Sequence, residues 1–146
     1  MPMDVIRVDD EQIDIGRAIL TLSSPSCGAI LSFVGTVRAS NDGRDVEAVS
    51  YESFLPLAEK VLAEIAAEAR NLTTAALRTA ILHRVGRLEV GDVCTLIAVA
   101  SPHRAEAYTA SRYIIEQLKL RAPIWKEEHY VDGEDRWLDG SELSAS

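Results

Sequence analysis

The sequence predicts an α+β domain with a largely antiparallel or mixed sheet. Apolar residues recur at helical spacing in three separate stretches. Between them lie short runs rich in strand formers, bounded by turn clusters of Gly, Ser, Asn and Asp. Helices mixed with hairpin-like strands are the pattern of this fold class. The 146 residues (1–146) fit one domain with a substantial core, and the end of the chain, about 140–146, reads as a frayed tail.

The elements follow in order. Val5 to Val8 is a short strand, and Ile13, Ile15, Ala18, Ile19 and Leu22 mark a first helix ending at Leu22. After the SSPSCG turn, Gly28 to Arg38 is a strand. Ala39–Asp45 (ASNDGRD) is the most loop-like segment, a flexible lid or a hairpin tip, and Val46–Glu52 is the next strand. A second helix follows Leu55, with Pro56 in its first turn and a buried stripe of Ala58, Val61, Leu62, Ile65, Ala66, Ala69 and Leu72. Leu77 to Val85 is a strand; Gly86 and the Val90-Gly91-Asp92 turn lead into the apolar run from Val93, a central strand. The third helix starts at His103-Arg104, buries Ala107, Tyr108, Ser111, Ile114, Ile115 and Leu118, and stops at Pro123. Ile124 to Val131 is extended, and after the Asp132-Gly133 turn Arg136-Trp137-Leu138 pairs back as a hairpin.

Charge narrows the function. With 23 acidic against 15 basic residues, a net charge of −8 lacks the broad basic face a nucleic-acid binder needs. No apolar run approaches membrane-spanning length, and the first residues do not read as a signal peptide. Cys27 and Cys94 have no CxxC spacing and read as free thiols of a reducing compartment, so a cytoplasmic protein is expected.

No Gly-rich phosphate loop, HExxH or nucleophile elbow is present, so chemistry must be sought in charges at structural junctions. His103 and Arg104 stand where a strand turns into a helix. Free N–H groups and the positive dipole end make such a place attractive to phosphate or carboxylate. An arginine there is unfavourable for the helix alone, which favours an anionic counterpart over a simple cap and a solvated side chain. Arg38 closes the Phe33–Arg38 strand, on one face with Val34 and Thr36 by alternation, and Gly35 permits close approach of a backbone or ligand. It offers a planar fork to a phosphate or stands in water; the segment alone leaves both open.

Lys119 and Lys126 flank Pro123, whose reversal lets both face one pocket, with Ile124 and Trp125 as a desolvating wall. A lysine held away from water near other cations is a competent acid, base or nucleophile. Of Glu127 and Glu128, only one can share the Lys126 side of a regular strand. His83 and His129 read as structural, and no cluster has zinc-like spacing, so no metal site is expected. The cationic groups are expected to gather, within one chain or an assembly, into an anion-binding acid–base pocket.

FVGTVR (Phe33–Arg38), HRVGRLEVGD (His83–Asp92), His103-Arg104 and LKLRAPIWKEE (Leu118–Glu128), with Gly133 and Trp137 beyond, extend over most of the chain. In these motifs it resembles the MoaE family, the large catalytic subunits of molybdopterin synthase. The resemblance implies an α/β hammerhead fold with an additional antiparallel β-sheet. It implies a homodimer that binds two small ubiquitin-like sulfur-carrier subunits as a heterotetramer. The activity implied is sulfur transfer from the carrier's thiocarboxylated C-terminus to cyclic pyranopterin monophosphate, giving the molybdopterin dithiolene, with no cofactor held by the large subunit. The substrate-binding set implied is Thr36, Val37, Arg38, His103, Arg104, Lys119, Lys126, Glu127 and Glu128, with Lys119 and Lys126 also catalytic. Some family members carry lysine at the position of Thr36, so any contact here is through hydroxyl or backbone. Two other classes stand beside this reading: a non-catalytic module for a ubiquitin-like tail, and an unrelated small enzyme of a phosphate ligand.

Overall fold

The computed structural model describes residues 3–138; the expected frayed tail lies outside them. The order is β1 (Met3–Asp9), α1 (Ile15–Leu22), β2 (Ala29–Thr36), β3 (Ser40–Asn41), β4 (Arg44–Ser53), α2 (Leu55–Asn71), β5 (Arg78–Arg84), β6 (Gly86–Glu89), β7 (Val93–Ser101), α3 (Arg104–Arg121), β8 (Ile124–Tyr130) and β9 (Asp135–Leu138). A four-stranded sheet runs β1-β5-β7-β2, parallel only between β1 and β5. A second, wholly antiparallel sheet runs β3-β4-β8-β9, with β6 also paired to β4. The α+β class with an additional antiparallel sheet is therefore the observed one.

The first sheet is covered on both faces. Leu22 of α1 packs with Ala80, Ala98 and Ala100, while Ile81, Ile97 and Val99 join α2 and α3 in the main core. Burial on both faces explains the unbroken apolar run of β7. Val46, Val49, Tyr51, Leu88, Ile124 and Tyr130 of the second sheet close the main core. The cavity described below is bounded by residues of both sheets and of α3.

Local chemistry sets the boundaries. Asp14 caps α1 by accepting the Arg17 N–H at 3.0 Å. Pro56 sits in the first turn of α2, and Ala58, Leu62, Ile65, Ala66 and Ala69 form its buried stripe. Leu72, expected in that stripe, is exposed because the helix ends at Asn71 and leaves it as the cap. On α3 the inner face is Ala107, Ala110, Ser111, Ile114 and Leu118. Tyr108, expected there, is 61% exposed, since one step along a helix rotates a side chain by about 100°.

Two short strands exceed the expectation. Gly86 to Glu89 is β6 rather than a lead into a turn, and its pairing with β4 is a contact between distant segments. Ala39–Asp45 is the tip of a hairpin: Asp42 and Gly43 both take positive φ, 50° and 76°, as a two-residue mirror-image turn requires.

Candidate active site

β2 loses its regular register between Gly35 and Thr36, at the sheet margin beside β7. A regular strand would send Thr36, Val37 and Arg38 to alternate faces. After the shift all three consecutive residues line one cavity, together with Phe33 and Gly35. The alternation that groups Arg38 with Val34 thus does not survive the bulge; Val34 is outside the cavity lining. Gly35 is required because the Thr95 side chain closes on it: a Cβ would meet Thr95 Cγ2 at 2.6 Å.

The cavity has a volume of about 210 Å³ and also receives Lys119 from the last turns of α3 and Lys126 and Glu128 from β8. The sequence contains only three lysines, and two of them are here; Lys60 stands exposed on α2. The end of α3 that carries Lys119 is fastened to α2. Arg121 holds both oxygens of Glu68, at 2.6 and 3.0 Å, and Tyr113 donates to the same carboxylate at 2.5 Å. Arg121 and Tyr113 accordingly hold the Glu68 carboxyl down at about 2.

Lys126 is 8% and Glu128 2% exposed, and their i, i+2 spacing on β8 turns both to the cavity. Glu127 faces the opposite side, so of the two acids only Glu128 shares the Lys126 wall. Trp125 also lies on that outer side, 48% exposed, and does not line the cavity as the expected desolvating wall. Phe33, Val37, Val49 and Tyr51 are the apolar and aromatic surfaces present instead.

Burial pushes the Lys119 ammonium below the ordinary lysine range, and Lys126 and Arg38 push it the same way. Burial likewise lowers Lys126, opposed by Glu128 and aided by Arg38. Behind these groups, His83 is buried, donates Nδ1–H to the Arg84 carbonyl at 2.9 Å and meets the Tyr51 ring edge-on at 4.8 Å. Burial, with Lys119 nearby, brings His83 down to about 4, so it is neutral. Burial raises the Tyr51 phenol beside Cys94, keeping it a neutral donor. Two amines with lowered proton affinity, one arginine fork and one carboxylate in a small crevice can bind an anion, exchange protons and polarise a carbonyl.

His103 and Arg104 lie elsewhere. They border a separate depression with Gly28, Ala29, Pro102 and Ala105, at the start of α3. Ser101 donates its hydroxyl to the His103 carbonyl, and Gly28 donates its N–H to the Pro102 carbonyl at 3.2 Å, which fixes this corner. Arg104 and Lys119 are four turns apart on one helix, a rise of about 22 Å, so within one chain they do not share a pocket.

Tyr51, Cys94, Asn41 and Ser40 are parts of the site that sequence reasoning passed over. Tyr51 is signalled only by its cross-strand position opposite Lys126, Cys94 by the register of β7, and Asn41 by the hairpin. On the outer face of the second sheet, His129 bonds Asp135 through Nδ1 (2.9 Å) and Ser50 through Nε2 (2.7 Å), with Glu127 at 3.6 Å. Glu127, His129 and Asp135 are close enough to share a cation, a grouping hidden from spacing because Asp135 arrives from the neighbouring strand.

Comparison with known proteins agrees with this architecture. A sequence model described as MoaE protein matches residues 8–121. The molybdopterin synthase catalytic subunit of Synechococcus elongatus is 46% identical, over 94% of this chain and 88% of its own length. That of Bacillus subtilis is 38% identical, over 99% of this chain and 90% of its own. The crystal structure of molybdopterin synthase from Staphylococcus aureus superposes with a TM-score of 0.85 at 38% identity, covering 90% of this chain and 95% of that one. By sequence and by fold, this chain belongs to the MoaE family.

Proposed function

We propose that this chain is the catalytic subunit of a molybdopterin synthase. In this reading it transfers two sulfurs, delivered as the thiocarboxylated C-terminus of a small ubiquitin-like carrier, to cyclic pyranopterin monophosphate. The observation that carries the proposal is the convergence of Arg38, Lys119 and Lys126 on one crevice in a chain of net charge −8. A cyclic phosphate and a thiocarboxylate are both anions, and each needs cationic partners away from bulk water. Arg38 offers its fork to the phosphate. Lys119 orients the thiocarboxylate carbonyl and balances the charge of its tetrahedral adduct, and Lys126 exchanges protons at the pterin side chain. Sulfur arrives on the carrier, so the chain needs no cofactor of its own, and its free thiols suit the reducing cytoplasm.

His103 and Arg104 enter the same reaction through a second copy of the chain. A helix that holds them about 22 Å from Lys119 prevents one substrate from touching both groups in one protomer. A homodimer that brings the start of one α3 to the cavity of its partner removes this obstacle, and two carriers then complete a heterotetramer. Trp125 and Trp137, half exposed on the outer face of β8 and β9, supply apolar contact surface for such an assembly.

The test is reconstitution with thiocarboxylated carrier and cyclic pyranopterin monophosphate, with dithiolene pterin as the readout. Lys119→Ala should abolish product while circular dichroism and carrier binding are retained; near-normal turnover would refute the role of Lys119. Carrier binding by the unaltered protein without product would mark it as a binding module alone.

A further inference from the structure

The hairpin tip β3–β4 brings Ser40 to the cavity lining and Asn41 to the cavity's carboxylate. Asn41 donates Nδ2–H to Glu128 Oε1 at 2.6 Å, across 87 residues of sequence. Tyr130 donates its hydroxyl to the same oxygen at 3.2 Å. Lys126, two residues earlier on β8, lines the same cavity wall as this carboxylate. The tip is itself pinned: Arg44 stacks on the Tyr130 ring, 3.6 Å from its centroid, and bonds Asp132 at 2.8 Å and Glu134 at 2.9 Å.

A carboxylate buried to 2% exposure needs such donors, because an unpaired buried charge is strongly disfavoured. The groups facing Lys126 are Glu128 on its own strand, Cys94 from β7, Arg38 after β2, Tyr51 from β4 and Lys119 from α3. Those around Glu128 include Asn41, Tyr130, Lys126, Tyr51 and the cross-strand Arg136. Glu128 is the one carboxylate among the residues lining the cavity.

We propose that Asn41 is a positioning residue: with Tyr130 it occupies Glu128 Oε1 and so fixes the carboxylate as the counter-charge to Lys126. The proposal rests on the reading of Lys126 as a proton-exchanging group. It gives the Ala39–Asp45 segment a role as a fixed buttress of the cavity wall.

The test uses Asn41→Ala and Asn41→Gln in the full chain, with Lys126 followed by 13C NMR of its ε-carbon across pH. With three lysines in the sequence, Lys60 is an internal reference and Lys119 a second reporter. In Asn41→Ala the Lys126 titration should move to lower pH by about half a unit or more, because a loosened carboxylate no longer offsets burial. Asn41→Gln, which restores a donor, should return it most of the way, and Lys60 should not move. On a Glu128→Gln background, Asn41→Ala should have no further effect on Lys126. The limb of the pH–rate profile of the reconstituted synthase that follows Lys126 should shift in the same sense. An unmoved Lys126 titration in a folded Asn41→Ala protein overturns the proposal, as does an equal shift on the Glu128→Gln background. A shifted titration with an unchanged pH–rate profile would instead remove Lys126 from proton exchange and leave the positioning intact.

Discussion

Gly35 and Thr95 lie opposite each other on β2 and β7, and the threonine methyl occupies the space a Cβ on the glycine would need. The contact sits beside the bulge that releases Thr36, Val37 and Arg38 into the cavity. Gly35→Ala is therefore expected to destabilise the protein by about 1–3 kcal/mol, as overpacked sites do. Thr95→Ser removes the offending methyl and keeps a hydroxyl to donate to the Leu82 carbonyl. The double variant should recover most of the loss in urea unfolding. Additive losses would mean the backbone, not the methyl, is what excludes a side chain there.

His83 makes stability depend on pH. Its folded value is held at about 4 against 6.5 in the unfolded chain, so the unfolded state binds more protons between these limits. The stabilisation is complete above pH 6.5 and is lost as pH falls towards 4, amounting to about 3 kcal/mol for a shift of this size. Denaturant unfolding at several pH values should display this slope. In His83→Gln the part of the slope between pH 6.5 and 4 that belongs to this group should vanish.

The two-protomer reading predicts complementation. Lys119→Ala and Arg104→Ala proteins should each be inactive alone, since each dimer then lacks one half of every site. After mixing and subunit exchange, half of the dimers are mixed, and one of their two sites unites an intact cavity with an intact α3 start. Product formation should recover to about a quarter of the unaltered rate, as expected for a two-fold assembly. No recovery, with exchange verified by mass spectrometry, would refute the two-protomer site, and an Arg104→Ala protein active on its own would remove Arg104 from the reaction.

Much of the site is legible in the sequence, and the gaps have physical causes. Lys119, Lys126 and Arg38 can be found because each is a charge at the end of a regular element, where chain direction changes. Glu128 follows from strand alternation with Lys126. The same alternation should exclude Trp125 as a wall, since adjacent residues of a strand face opposite ways. Tyr51 and Asn41 reach the site through pairings between segments far apart in sequence, and no local pattern encodes those registers. β6 is hidden for the same reason: four residues after a glycine look like a turn until β4 is there to receive them. The distance between Arg104 and Lys119 is legible from helix length alone. Cationic residues at both ends of a helix suggest a common focus, but the rise per residue keeps those ends apart.

That helix also acts as a spacer with a fixed phase. Arg104 and Lys119 are joined by an unbroken hydrogen-bonded rod, so neither can be repositioned independently of the other. Adding one residue to the rod would turn its two ends out of alignment by about 100°. Adding a whole turn would restore the alignment but lengthen the reach by about 5.4 Å. In the two-protomer reading the tolerated lengths of α3 are thus discrete, and the gauge of this helix counts for as much as the side chains at its ends.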